Sequence, residues 1–310
     1  MKIGLSLTTA YPREEPAVAR LQQLIQQVEA ARDHGFHSVW VGDHHVTPHL
    51  YYQSVPTIAR LSAHAGRMQI GPFLLLPLYH PVLLAEQMAT LDVITAGRLT
   101  LMVALGWQPE AYAAFGIPWK ERVPRFGEAV EILQLLFAKD PADYRGRFYP
   151  FEGVSFQPKP VHGRIPLWIG AGAEPAIRRA ARLGDAWIIG PLSALEVVKA
   201  QMRVYKAALQ EYGRDGAVDE FPIRRDVFIA EDRETALKIV EPSLRAGYRG
   251  VSGNPLEVLI VGGPQDLIAQ LEQFKALGLS HVLMRFMVQT QEHILRAIQI
   301  IGEQVIPQVS

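Results

Sequence analysis

Asp43, His44 and His45 follow one another directly after the apolar run Val39-Trp40-Val41 and Gly42, and His49 stands a little further on. A carboxylate beside imidazoles can handle protons, because an imidazole with a pKa near ~6.5 gives up or takes a proton at neutral pH. The same residue types also bind metals, and they also fill ordinary polar loops. A metal site on a sheet needs about three His or carboxylate ligands converging from several strands. The other strand ends offer mostly glycine and apolar side chains, with carboxylates only at Glu231 and Asp232. Adjacent His44 and His45 point to opposite faces if the strand runs that far, which works against joint chelation. No metal is therefore expected. A catalytic acid–base group at a strand end and a solvated polar loop stay open as readings.

A second stretch, "IGAGAEPAIRRAARLG", reads as strand, glycine turn and helix, with Pro175 in the first helical turn. Free backbone N–H groups at such a turn suit a phosphate. A tight turn that needs glycine for its geometry explains the same residues. It is a poor dinucleotide fingerprint, because Pro175 stands where the third small residue belongs. Arg285 lies within an apolar strand pattern, where a guanidinium is costly unless paired. A structural ion pair at the bottom of the sheet is the expectation for it. His80 reads as a helix-entry residue, and the aromatics of 144–156 as packing.

These groups need elements to position them. Short apolar runs at 3–7, 38–41, 68–76, 99–104, 166–169, 186–189, 224–229 and 281–287 have strand length and composition. Segments of helical period separate them; in the first, Val18, Leu21, Leu24, Ile25, Val28 and Ala31 recur at helical spacing before Gly35. Strands alternating with helices predict an α/β fold with a parallel sheet, and eight strands suit a (β/α)8 TIM barrel. An open doubly wound sheet is the alternative. Residues 1–310 read as one domain with insertions at about 138–165, carrying a small hairpin, and at 241–264. On a barrel, the ends of the strands carry the active site.

Composition narrows the function classes. Lys+Arg and Asp+Glu both number 31, so no net charge draws the chain to nucleic acid or acidic lipid. There is no cysteine, which excludes disulfides, thiolate zinc sites and a cysteine nucleophile. No apolar run reaches about 18 residues, and the start lacks a signal-peptide pattern, so a cytoplasmic location away from membranes is expected.

The stretches "ARDHGFHSVWVGDHHV", "IGPFLLLPLYHPVLLAEQMATLDVITAGRLTLMVALGW", "PLWIGAGAEPAIRRAARLGDAW" and "VGGPQDLIAQLEQFKALGLSHVLMRF" occur in an order and spacing that resemble the bacterial luciferase-like family from Met1 to about Ile306. That family holds flavin-dependent monooxygenases and deazaflavin (coenzyme F-420) oxidoreductases on TIM barrels. The resemblance implies a monooxygenase that uses reduced FMN as a cosubstrate, with O₂, to oxygenate a small organic substrate. The flavin would come from a separate flavin reductase, and the protein would be a homodimer. Hydride transfer from F-420 is the alternative, and a flavin-binding protein without turnover is a further one. The resemblance gives His44 the acid–base role beside the flavin. It puts Asp43, Phe73, Leu74, Ala104, Leu105, Gly106, Gly172, Ala173 and Glu174 around the cofactor, with a cis peptide at Phe73–Leu74. His45, Tyr79 and Trp107 are expected on the substrate side, although Trp107 also reads as an ordinary rim aromatic. Leu105 departs from the arginine that some luciferase-type members place at the phosphate, and Ala173 from the serine that many members have.

Overall fold

The computed structural model describes residues 1–251 and 253–309. Nine of its strands form one parallel sheet: β1 (Lys2–Leu7), β2 (Ser38–Gly42), β3 (Gln69–Leu75), β4 (Leu101–Ala104), β5 (Leu167–Gly170), β6 (Ala186–Ile188), β7 (Pro222–Ile229), β8 (Ile260–Gly262) and β9 (His281–Phe286). Their spatial order is β6-β5-β4-β3-β2-β1-β9-β7-β8. The sheet is curled. Ile189, just after β6, bridges Ile223 of β7 in parallel, through Ile189 N to Pro222 O at 3.3 Å and Arg224 N to Ile189 O at 3.1 Å. This contact between the two flanks disfavours the open doubly wound alternative.

Strand alternation splits the apolar residues into two sets. One face packs on the helices, as in α1 (Ala17–Asp33), whose Leu24, Ile25, Val28 and Ala31 are buried. Val18 was expected on that face but is 78% exposed, because it sits in the first turn, beyond the sheet. α1 stops before Gly35, whose φ of 79° lets the chain turn into β2. The other face points inside the curl, where Trp40, Met102, Trp168, Ala186, Ile188 and Leu283 form a second core. Trp40 and Trp168 stack at 4.8 Å.

The eight expected strands are all present. β8 was not anticipated. It lies within 241–264 and pairs with Val227–Ile229 of β7. The start of that stretch belongs to the helix Arg233–Arg245, so it is not a plain loop insertion. Within 138–165, Ala142–Tyr144 and Phe151–Val154 pair antiparallel as a hairpin, with Tyr149 and Phe156 buried as packing.

Candidate active site

The chain leaves β2 at Gly42 and enters an irregular loop. Asp43 is the first residue of that loop, and its side chain is fully buried. One oxygen, Oδ2, accepts from Leu75 N at 3.1 Å and Tyr79 Oη at 2.9 Å, and pairs with His45 Nε2 at 2.9 Å. Burial, and then the neighbouring Asp43, push the Tyr79 phenol far above its ordinary range, so it stays protonated and donates. His45 is buried, with its ring edge-on to Tyr79 and Phe115. The chain then turns at Val46, whose φ of 52° is costly for a β-branched residue, by about 1–3 kcal/mol. This turn and the knot on Asp43 fix where His44 goes.

His44 is half-buried and takes no part in the knot. Its ring lies 5.3 Å from that of Tyr51. Burial, followed by the nearby His45, holds its pKa below the ordinary histidine value against the opposing pull of Asp43. It is therefore a neutral imidazole at pH 7. Tyr51 belongs to a short antiparallel pairing of Leu50–Tyr51 with Ala10–Tyr11. A Cβ on Gly42 would lie 3.3 Å from the Tyr51 hydroxyl, so this phenol stands over the end of β2. His49 is exposed.

Phe73 points inside the curl and packs on the inner aromatic core. A Cβ on Gly170 would lie 3.2 Å from Phe73 Cζ and 3.5 Å from the Ala104 Cβ, so these three residues converge. Leu74 does not join them. Alternation sends it outward into the core beneath the helices, where it is fully buried. The cis peptide expected at Phe73–Leu74 is absent: the cis bonds among the described residues are Asp140–Pro141 and Gln157–Pro158. The physical reason is the ladder, since Phe73 and Leu74 pair in unbroken register with Met102 and Val103, leaving no bulge.

The expected phosphate residues lie on a more open rim. Leu105 is partly buried, and its carbonyl accepts from the Tyr112 hydroxyl. Gly106 has a φ of 78° and packs on Leu75. Gly172, Ala173 and Glu174 are exposed, and a Cβ on Gly172 would meet nothing within 4 Å. Arg178 is paired to Glu174 at 3.1 Å and Glu211 at 2.7 Å, so it is not free for an anion there. Trp107 is 75% exposed.

A group that the sequence reading left out completes this end of the molecule. Asp226 of β7 is fully buried and meets Arg285 of β9 through a two-point fork, at 2.8 Å and 2.6 Å. Tyr248 Oη and Arg249 Nη1 also donate to it, at 2.8 Å and 2.9 Å. Burial alone would raise the Asp226 pKa, but Arg285 and the other guanidinium groups bring it down to about 2. Arg285 does form the expected ion pair, but near the carboxyl end of its strand and not at the bottom of the sheet. The available signal was "RRD" at 224–226, three charges in a strand pattern, of which Arg224 and Asp226 share a face at period two.

Asp43 Oδ1 and Arg224 Nε are buried without hydrogen-bond partners. Unsatisfied buried polar atoms call for an explanation, and a bound group with a polar edge supplies one. With the flat, small-residue surface at Ala104 and Gly170 beside Phe73, the strand ends fit a planar ring system such as a flavin. Among the described residues, no three His, Cys, Asp or Glu are grouped to hold a metal ion, and no helix is long and apolar enough to cross a membrane.

Known proteins resemble this chain over most of its length. Residues 1–281 match the family model described as luciferase-like monooxygenase. The chain is 26% identical to the FMNH(2)-dependent dimethylsulfone monooxygenase of Pseudomonas fluorescens, over 83% of this chain and 78% of that protein. It is 25% identical to the F420-dependent glucose-6-phosphate dehydrogenase of Nocardia farcinica, over 84% of this chain and 87% of that one. The structure of the monooxygenase RslO1 from Streptomyces bottropensis superposes with a TM-score of 0.88 at 24% identity, covering 100% of both chains. The chain belongs to the luciferase-like monooxygenase family.

Proposed function

We propose that this protein is a flavin-dependent monooxygenase that oxygenates a small organic substrate at the carboxyl ends of its strands. The fold is read as one (β/α)8 barrel over the whole chain, with an added strand at Ile260–Gly262 and an inserted hairpin after residue 138. The observation that carries the reading is a half-buried, neutral imidazole, His44, two residues beyond Gly42, whose register partner Phe73 converges with Ala104 and Gly170. Reduced FMN, when bound, supplies the two electrons that send one oxygen atom of O₂ to the substrate and the other to water. Phe73, Ala104 and Gly170 would support its ring. The backbone at Gly106, Gly172 and Ala173 would face its phosphate.

His44 accepts and returns a proton at the reacting end, which a neutral imidazole can do at pH 7. Asp43, His45 and Tyr79 position it. His45 and Tyr79 are committed to Asp43, so their contribution to the substrate is through shape. The FMNH(2)-dependent relative supports the choice of cofactor, with a separate reductase as the partner that supplies reduced flavin. A cytoplasmic homodimer is the assembly we expect.

A second reading, hydride transfer from reduced F-420, is favoured by the F420-dependent relative. Anaerobic absorbance titrations with FMN, reduced FMN and F-420 separate the readings. Saturable binding of reduced FMN, with flavin-dependent oxygen uptake in the presence of substrate, is expected. Binding of F-420 alone would replace the monooxygenase with the dehydrogenase, and binding of none would remove both.

A further inference from the structure

The amino ends of the strands, opposite the site, surround a cavity of about 930 Å³. Small-ligand pockets span roughly 300–1,000 Å³. The floor of this one is apolar: Ile3 of β1, Phe36 before β2, Met68 before β3 and Leu279 before β9 all line it and are buried. Its mouth is cationic. Lys2, Arg32, Arg67 and Lys275 line it and are exposed, and among the described residues no carboxylate lines it. Three of these cations have a carboxylate partner that is not part of the lining: Lys2 pairs with Glu220, Arg32 with Asp33 at 2.7 Å, and Lys275 with Glu272 at 3.8 Å. Arg67 has no ion pair or hydrogen bond among the described residues. Arg98 adds a guanidinium without a carboxylate. Its Nη1 donates to the carbonyl of Met68, a floor residue, at 2.7 Å, and burial lowers its pKa. His37, also on the lining, is neutral at pH 7, because burial and then His281 bring its pKa down to about 4.

An apolar floor under a mouth of cations matches a ligand with an apolar body and an anionic head. Covering the floor is worth about 25 cal/mol for each Å² of apolar surface removed from water. The head gains from cations that meet no competing carboxylate within the cavity. A neutral apolar ligand forgoes the second gain, and a cationic one is repelled. We propose that this cavity is a second binding site, which takes a small amphipathic anion such as an aliphatic monocarboxylate. It lies at the opposite end of the strands from His44, so it stands or falls independently of the flavin reading.

The test is calorimetric titration of the full chain with octanoate, octanol and octyltrimethylammonium. Octanoate should bind saturably, at least about tenfold more tightly than the other two. Its affinity should fall about 5- to 30-fold in Arg67→Glu and in Lys275→Glu, the worth of reversing one exposed charge. Octanol binding should not change in either variant. Both residues are exposed, so the melting temperature should hold. A second measurement locates the ligand in protein with isotope-labelled histidines. The His37 ring resonance, identified by its absence from His37→Gln, should shift with octanoate. The His44 resonance, identified by its absence from His44→Ala, should stay in place. No binding of octanoate, binding no tighter than that of octanol or the cation, or unchanged octanoate affinity in both variants overturns the proposal. So does a shift at His44 with His37 unmoved, because the ligand would then sit at the carboxyl ends of the strands.

Discussion

His44 and His45 are neighbours in the chain and occupy different chemical settings. His45 satisfies a buried carboxylate, whereas His44 is left with an unshared ring next to Tyr51. Replacing each tests the division. His44→Ala should fold normally and lose turnover by a factor on the order of 10² to 10⁴, the usual worth of a positioned proton carrier. His45→Ala removes a hydrogen-bond partner from Asp43 and should lower stability by about 1–3 kcal/mol, with the larger effect in the melting curve. Turnover and thermal melts on both variants check this, and the reverse pattern would exchange their roles. The reaction should also keep its rate below the ordinary histidine pKa, because a lowered pKa keeps the imidazole neutral to more acidic pH. An acid limb lying above pH ~6.5 would argue against His44 as the base.

Elements set how closely these side chains can approach. Gly71 sits in the middle of β3, where a Cβ would lie 2.1 Å from the Thr100 carbonyl oxygen and 2.5 Å from the Trp40 ring. The absence of a side chain there lets the inner Trp40–Trp168 stack sit against the sheet beneath the site. Gly71→Ala should therefore cost about 1–3 kcal/mol or more through overpacking. Chemical denaturation measures this, and a variant as stable as the parent would mean that the stack is free to move aside. Regular alternation along β3 also explains Leu74. Once Phe73 faces inward, its neighbour must face the helices, whatever role a family resemblance suggests for it.

At the scale of the whole molecule, the end opposite the site holds a buried histidine. His281 Nε2 lies 2.8 Å from Ser38 Oγ, which also accepts from Trp40 Nε1 at 2.8 Å. Its Nδ1 faces Glu220 at 3.8 Å, and its ring meets those of Trp168 and His37 edge-on. Burial holds its pKa below the ordinary 6.5, against the pull of Glu220. The unfolded chain binds a proton below that ordinary value while the folded chain resists it. The resulting stability is complete above about pH 6.5 and declines as the pH falls below it. Asp226, with its depressed pKa, adds a further loss only in stronger acid, between its ordinary carboxylate value and about 2. The melting temperature should thus fall between pH 7 and 5. His281→Gln should flatten part of that slope, and an unchanged slope would place the titration at other groups.

Local pattern alone determined much of this protein. The eight strands were legible because each is a short apolar run bounded by turn residues, and the helices because period-3.6 burial is written in neighbouring residues. The loop Asp43-His44-His45 was legible for the same reason, as a polar break right after a strand. β8 was not, since three residues, Ile260–Gly262, form too short a run beside a helix start to stand out. The tertiary structure alone decided which histidine carries a carboxylate and which is presented, through contacts from Leu75 and Tyr79 that lie more than 30 positions away. It alone joined Asp226 to Arg285, across 59 positions. Such pairs depend on strand order and register, which are set when the sheet curls and its two flanks meet. The sequence records only that a costly charge stands inside a strand, and the fold supplies its partner or, at Arg224, leaves it without one.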